Sequence, residues 1–305
     1  MKKKILFRGT GTAVITPFLD GKIDYPSLFG ILEEQIAAGV EALILGGTTG
    51  EAATLSDRER YELYTRAIDR IDGRCKVLFG TGTNDTQKAC AHTQIASALG
   101  CDGVLVVTPY YNKGTSVGIV HHYLKIAEVS AVPLLLYNVP TRTGVCLTLS
   151  ELRSLAECEN IVGIKEASDS AERLLAVSAF GDDLALYAGN DSQIYTALAL
   201  GGLGVISVVS NLLPRAVVKI TDLYFEGQHR ESYRKQITLL PLIHALFVET
   251  NPTPIKYAMS RRGLCRDEMR LPLAPATEET RRLIDAALDA YEKAEEQRDG
   301  NEIDP

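Results

Sequence analysis

Lys165, in the run Ile161-Val162-Gly163-Ile164-Lys165-Glu166-Ala167, is the residue whose type and setting most invite chemistry. The run reads as a strand, and successive strand side chains point to opposite faces. Lys165 therefore faces away from Ile164 and Glu166, and with Ile164 against a helix layer it points into the interior. Burial disfavours an ammonium, and the neutral amine is the form that attacks a carbonyl carbon to give an imine. A lysine paired with Glu166, or one reaching solvent at the strand end, is the structural alternative, and Lys165 alone does not decide between them.

Further polar residues fall at the ends of other apolar runs. Thr48 and Thr49 stand in Leu45-Gly46-Gly47-Thr48-Thr49-Gly50-Glu51. This turn has no lysine and lacks the phosphate-loop pattern, so its N–H groups and hydroxyls suit a small carboxylate better than a phosphate chain. A glycine-rich turn with capping hydroxyls is the plainer reading. Tyr110 and Tyr111 follow another run, where aromatic packing at a subunit contact would also account for them. Tyr137 stands at the end of the next, with Arg142 just beyond, and Gly189 and Asn190 follow a later one. A core tyrosine with a satisfied hydroxyl is the plain account of Tyr137.

The elements that must position these residues are short apolar runs alternating with helical patterns. The candidate strands are Thr12–Pro17, Ala42–Gly46, Lys76–Gly80, Gly103–Thr108, Pro133–Asn138, Val162–Glu166, Leu184–Gly189 and Gly204–Val209. Most are continuous Val/Ile/Leu runs, as parallel strands covered on the outside require. Ser56-x-x-Glu59 is a capping box opening a helix with Leu63, Ala67, Ile68 and Ile71 on one face. Gly39 and Gly100 fit positions just past helix ends. Eight such units of about 25–30 residues predict a closed (β/α)8 TIM barrel rather than an open doubly wound sheet. Barrel active sites form at the C-terminal rim, where the polar residues above converge. The eighth barrel helix is expected over Pro214–Phe225 with a break at Gly227, followed by helices over 229–249, 254–262 and 277–296. The expected division is a catalytic barrel over 1–228 and a C-terminal helical domain over 229–305.

Composition narrows the function classes. A chain of 305 residues buries a substantial core, and no window approaches an unbroken apolar span of membrane length. The net charge of −7 argues against a nucleic-acid surface. Glu292, Glu295, Glu296, Asp299, Glu302 and Asp304 cluster in what reads as a solvated, fraying tail. Met1-Lys2-Lys3-Lys4 is basic, but the apolar stretch after it is too short for a signal-peptide core. The six cysteines form no Cys-x-x-Cys pair, and Cys75 and Cys146 lie in apolar runs, so buried or idle thiols are expected. The five histidines form no metal box, His121 and His122 being adjacent rather than on one helical face. A reduced cytoplasmic protein is expected, without metal or cofactor and without membrane or nucleic-acid partners.

Several segments together resemble the dihydrodipicolinate synthases. They are Gly46-Gly47-Thr48-Thr49-Gly50-Glu51, Thr108-Pro109-Tyr110-Tyr111-Asn112-Lys113 and Tyr137-Asn138-Val139-Pro140-Thr141-Arg142-Thr143-Gly144. Gly163-Ile164-Lys165-Glu166-Ala167, Gly201-Gly202-Leu203-Gly204-Val205-Ile206-Ser207 and Glu249-Thr250-Asn251-Pro252-Thr253-Pro254-Ile255-Lys256 continue the match, which runs from about Gly9 to about Pro275. The resemblance implies condensation of pyruvate with aspartate 4-semialdehyde to 4-hydroxy-tetrahydrodipicolinate, the first committed step toward diaminopimelate and lysine. It implies that Lys165 forms the imine, while Tyr137 shuttles protons in a hydroxyl relay with Thr48 and Tyr111. Thr49 would hold the pyruvate carboxylate, Arg142 would fork onto the carboxylate of the semialdehyde, and backbone groups near Gly189 and Ile206 would complete the pocket. The family builds tight dimers in which the residue matching Tyr111 enters the neighbour's site, and two such dimers pair into a homotetramer.

The sequence departs from the pattern at the lysine effector site of inhibited members. Arg60 and Lys88 stand where a histidine and a glutamate are usual, with Ala52 and Asp57 nearby, while Asn84 and Tyr110 are kept. Two cations near an effector's ammonium are repulsive, so weak or absent lysine inhibition is expected. A sibling pyruvate lyase, for sialate or a keto-deoxy sugar, would share Lys165 and Tyr137. Arg142 and the threonine pair favour a short charged aldehyde instead. A barrel kept only for binding would have lost Lys165, Tyr137 or Arg142, and all three are present.

Overall fold

The computed structural model describes residues 3–301, with side chains as far as Gln297. Eight parallel strands close into a barrel: β1 (Gly9–Ala13), β2 (Ala42–Leu45), β3 (Lys76–Gly80), β4 (Gly103–Val107), β5 (Leu134–Asn138), β6 (Ile161–Glu166), β7 (Ala185–Ala188) and β8 (Gly204–Ser207). Each pairs with its sequence neighbours, and β1 closes the ring against β8. The (β/α)8 expectation holds.

The first strand, Gly9–Ala13, lies earlier than the expected Thr12–Pro17. Its residues Thr10 and Thr12 are fully buried, and their hydroxyls are satisfied by Thr221 Oγ1 at 3.1 Å and Gln35 Oε1 at 2.7 Å. Beyond Ala13 the chain leaves the strand ladder, and the Ile15 N–H donates to the Asn211 side chain at 3.0 Å. At the β1–β8 seam a Cβ on Gly204 would lie 1.9 Å from the Gly9 carbonyl oxygen, so only glycine allows the closure.

Two apolar layers form. The larger lies between strands and helices and includes Leu43, Leu136, Ile161 and Ile164. The smaller fills the barrel with Ile44, Leu78, Leu105, Leu135, Tyr137, Val162, Tyr187 and Ile206. Leu6 and Phe7 plug the end where the strands begin, Phe7 stacking on Tyr187 at 4.5 Å and its carbonyl accepting from the Tyr187 hydroxyl at 2.7 Å. At the other end, where the strands finish, the interior opens into a cavity lined by Tyr137 and Lys165.

Local signals match the elements they announced. Ser56 and Glu59 form the capping box of helix Asp57–Ile71, and Pro214–Phe225 is a helix as expected. Three helices follow: His229–Ala245, Thr253–Arg261 and Glu278–Asn301. The first of these stops short of residue 249. Glu249 turns away from the helix direction to accept the Thr277 N–H at 3.0 Å. Residues 246–252 thereby fold over the barrel rim.

The acidic tail expectation holds in part: Glu292 and Glu296 are exposed, but the segment as far as Asn301 is helical. Glu292 and Glu295 lie on an ordered helix, ion-paired with Arg262 and with Lys235 (2.7 Å) respectively. The Asp299 side chain, Glu302 and Asp304 lie outside the described residues. Cysteine expectations also divide: all six are free, burial pushes the Cys75 thiol up to about 11, but Cys146 is exposed. Among the described residues no helix is long and apolar enough to cross a membrane, and no group of three or more His, Cys, Asp or Glu side chains is placed to hold a metal ion.

Candidate active site

The ends of β5 and β6 set the centre of the mouth. Tyr137 and Lys165 are register partners on these strands, and the Lys165 ammonium lies 4.5 Å from the centroid of the Tyr137 ring. Both side chains are buried. Lys165 faces the interior because of a bulge. Leu134 pairs with Ile161 but Leu135 pairs with Gly163, so β6 carries one extra residue. Val162 therefore points into the barrel while Ile164, two residues on, points to the helices. The bulge resets the alternation and re-aims Lys165 inward. Gly163 permits it, since a Cβ there would meet the Ala185 carbonyl oxygen at 2.7 Å. The supposed partner Glu166 lies on the opposite face, ion-paired with Arg173 at 3.3 Å.

The turn after β2 brings Thr48 and Thr49 to the same mouth. Gly46 takes a φ of +63°, and a Cβ there would lie 2.2 Å from the Tyr64 hydroxyl oxygen. Thr49 is buried, and its Oγ1 accepts from Asn251 Nδ2 at 2.9 Å. Arg142, on the one-turn helix Pro140–Thr143, donates through Nη2 to the Asn251 carbonyl at 2.9 Å. Asn251 thus bridges the two residues expected to grip carboxylates, and its buried Oδ1 has no hydrogen-bond partner.

Lys165, Tyr137, Thr49, Arg142 and Gly189 line one cavity of about 890 Å³. Thr48 and Tyr110 line an adjoining cavity that shares Tyr137, Arg142 and Asn251 with it. Gly189 has to be glycine, since its Cβ would sit 2.5 Å from that of Ala167. Ile206 belongs to the packed barrel interior beneath the cavity. Tyr111 stands apart: it is 90% exposed, with a left-handed φ of +70°, and lines neither cavity.

Asp191 and Asn251 are cavity residues whose individual placement the sequence did not reveal. Asp191 is buried, and its carboxylate accepts from the Ser207 hydroxyl and from the N–H groups of Val208 (2.9 Å) and Val209 (3.1 Å). Burial raises its carboxyl above the usual range, against the pull of these donors and of nearby Lys165. A fully buried ion pair between Lys256 and Glu51 fastens the helical extension to the Thr48–Thr49 turn. Lys256 also donates to the Glu268 carbonyl at 2.8 Å, and burial pushes its ammonium below the ordinary value.

Comparison with known proteins gives a consistent result. The profile of the Dihydrodipicolinate synthetase family matches residues 6–291. The 4-hydroxy-tetrahydrodipicolinate synthase of Clostridium novyi (strain NT) is 43% identical over 289 residues, which cover 94% of this chain and 98% of that one. The enzyme of the same name from Leptospira biflexa is 45% identical over 276 residues, covering 90% and 94%. The crystal structure of dihydrodipicolinate synthase from Thermotoga maritima matches with a TM-score of 0.92 at 41% identity, covering 94% and 99% of the two chains. Barrel, mouth and relatives together define a lyase built on a (β/α)8 scaffold. The chain belongs to the Dihydrodipicolinate synthetase family.

Proposed function

We propose that the protein condenses pyruvate with L-aspartate 4-semialdehyde to give 4-hydroxy-tetrahydrodipicolinate, the first committed step toward diaminopimelate and lysine. The observation that carries this reading is the buried Lys165 amine beside Tyr137, in a chamber whose wall holds Thr49 and Arg142 bridged by Asn251. Lys165 adds to the pyruvate ketone and water leaves, giving an imine. The protonated imine draws electrons from the methyl group, which loses a proton to give an enamine. The enamine carbon attacks the aldehyde, and the amine of the second substrate then displaces Lys165 as the ring closes. No cofactor enters this scheme.

Tyr137 moves the protons of these steps with Thr48 and, from a neighbouring subunit, Tyr111. Thr49 holds the pyruvate carboxylate, with backbone groups near Gly189 and Ile206 completing the pocket. Arg142 binds the carboxylate of the semialdehyde from the rim. The left-handed backbone at Tyr111 costs roughly 1 kcal/mol or more, for a side chain that contributes nothing to its own barrel. Insertion into a partner's site would offset that cost and supports a tight dimer, two of which form the tetramer. The barrel domain, 1–228, carries the chemistry, and the C-terminal domain, 229–305, contributes the segment 246–252 that folds over its rim. The assembly is cytoplasmic and acts on small molecules rather than nucleic acid or membrane.

Turnover of pyruvate with aspartate 4-semialdehyde, compared with sugar-derived aldehydes, tests the substrate assignment. Preference for the semialdehyde is expected; preference for a sugar aldehyde would move the protein to the sugar-acid lyases.

A further inference from the structure

On the helix-facing side of β5 and β6 lies a closed ring of hydrogen bonds that the chemistry above does not use. Asn138 and Glu166 follow Tyr137 and Lys165 in sequence and are likewise register partners. Both are fully buried, and they point outward where their predecessors point inward. The Asn138 amide nitrogen donates to Glu166 Oε1 at 2.8 Å and Oε2 at 3.0 Å. Glu166 Oε1 also accepts the Ser168 N–H at 3.0 Å, and Oε2 accepts Arg173 Nε at 3.3 Å. Arg173 donates through Nη2 to the Leu147 carbonyl, and the Leu147 N–H returns to Asn138 Oδ1 at 3.0 Å. Asn138, Glu166, Arg173 and Leu147 thus close on themselves.

The ring meets the site at three places. It ties β5 to β6 immediately beyond the Tyr137–Lys165 pair. It holds both ends of the segment 138–147, which carries Arg142. The Glu166 backbone carbonyl accepts the Gly189 N–H at 2.7 Å, drawing in the end of β7. All donors around the Glu166 side chain are N–H groups, which suits the acceptor-only carboxylate. Buried ion pairs are seldom better for stability than apolar residues of similar volume, whereas a fully satisfied polar network is rigid.

We propose that Glu166 is a positioning residue. Through Asn138 and Arg173 it fixes the Lys165 amine against Tyr137 and sets the place of the Arg142 segment, without entering the barrel itself. The proposal rests on Lys165 being the nucleophile.

Glu166→Gln keeps the size of the side chain but turns one acceptor into a donor that faces donors. Rapid quenching with borohydride after mixing with pyruvate reads the rate of imine formation at Lys165. That rate is expected to fall about 10- to 100-fold, with kcat, while the KM for pyruvate changes less than about threefold. Arg173→Lys keeps the charge but loses the fork that reaches Leu147. It is expected to raise the KM for the aldehyde by about fivefold or more, with a smaller effect on imine formation. A merely structural ring would lower the melting temperature and leave imine rate and KM unchanged. Glu166→Gln forming the imine at the wild-type rate overturns the proposal. Should that variant not fold, an unchanged aldehyde KM in Arg173→Lys overturns it instead. Absence of any adduct at Lys165 in the wild-type protein would refute the nucleophile assignment, a separate failure read before either variant is used.

Discussion

Tyr137 and Lys165 sit side by side on β5 and β6, with the Lys165 ammonium 4.5 Å from the centre of the tyrosine ring. Imine formation needs proton transfers at each addition and loss of water, and the proposed mechanism assigns them to the Tyr137 hydroxyl. Tyr137→Phe keeps the ring that packs against Lys165 and removes only the hydroxyl. Steady-state kinetics should show kcat reduced by about a hundred- to ten-thousandfold, with thermal stability nearly unchanged. Wild-type turnover in this variant would remove Tyr137 from the mechanism.

The Lys256–Glu51 pair is fully buried and joins the helical extension to the turn that carries Thr48 and Thr49. Lys256→Met fills a similar volume but leaves the Glu51 charge without its partner. Removing one member of a buried pair costs about 3–5 kcal/mol, so urea denaturation should show a loss of that order. A loss below about 1 kcal/mol would mean that the pair is solvated or dispensable.

Glu41, at the strand-start end of the barrel, accepts the Thr10 N–H at 2.7 Å, and burial raises its carboxyl to about 7. The folded value lies above the unfolded one, so the native state holds the proton more tightly. Glu41 therefore costs no stability below the unfolded value of 4.5, and an increasing amount as the pH climbs from there to about 7, with no further change above. Glu41→Gln keeps an acceptor for Thr10 and abolishes this titration. The variant should be more stable than the wild type at pH 8, with the difference shrinking toward pH 5 in thermal melts. A constant difference across that range would count against the assignment.

Arg60, one of the two cations on which the expectation of weak lysine inhibition rests, is engaged with the protein itself. Its guanidinium donates to the carbonyls of Ala52 (2.9 Å) and Gly80 (3.2 Å) and to the Tyr64 hydroxyl (3.2 Å). It lines the cavity it shares with Tyr110 and presents a fixed positive charge there. Inhibition by L-lysine is therefore expected to be weak or absent. An inhibition constant well below millimolar would contradict this.

The barrel was legible because its strands, buried on both faces, read as unbroken apolar runs. In β1, by contrast, Thr10, Gly11 and Thr12 carry the strand and side-chain hydrogen bonds replace apolar packing. Ile164, packed against the helices, marks its neighbour Lys165 as inward. Counting alternation from Ile161 would have sent it outward, since the bulge at Gly163 is invisible in the sequence. Thr49 and Arg142 were found at the mouth, but the residue that joins them was not, because Asn251 arrives from a segment distant in the chain that folds back over the rim. Asp191 gives no signal in the sequence, because an acidic residue at a strand end reads as a solvent-facing cap. Tyr111 is singled out only through resemblance, since among the described residues it is exposed and lines neither cavity.

The central claim is that Lys165 is the nucleophile, and trapping with borohydride tests it most directly. The protein is incubated with pyruvate, reduced and digested, and the adduct is located by mass spectrometry. A single pyruvate-derived modification on Lys165, with loss of activity in proportion to labelling, is the result expected. Modification of another lysine, or none in a preparation that turns over both substrates, would contradict the account.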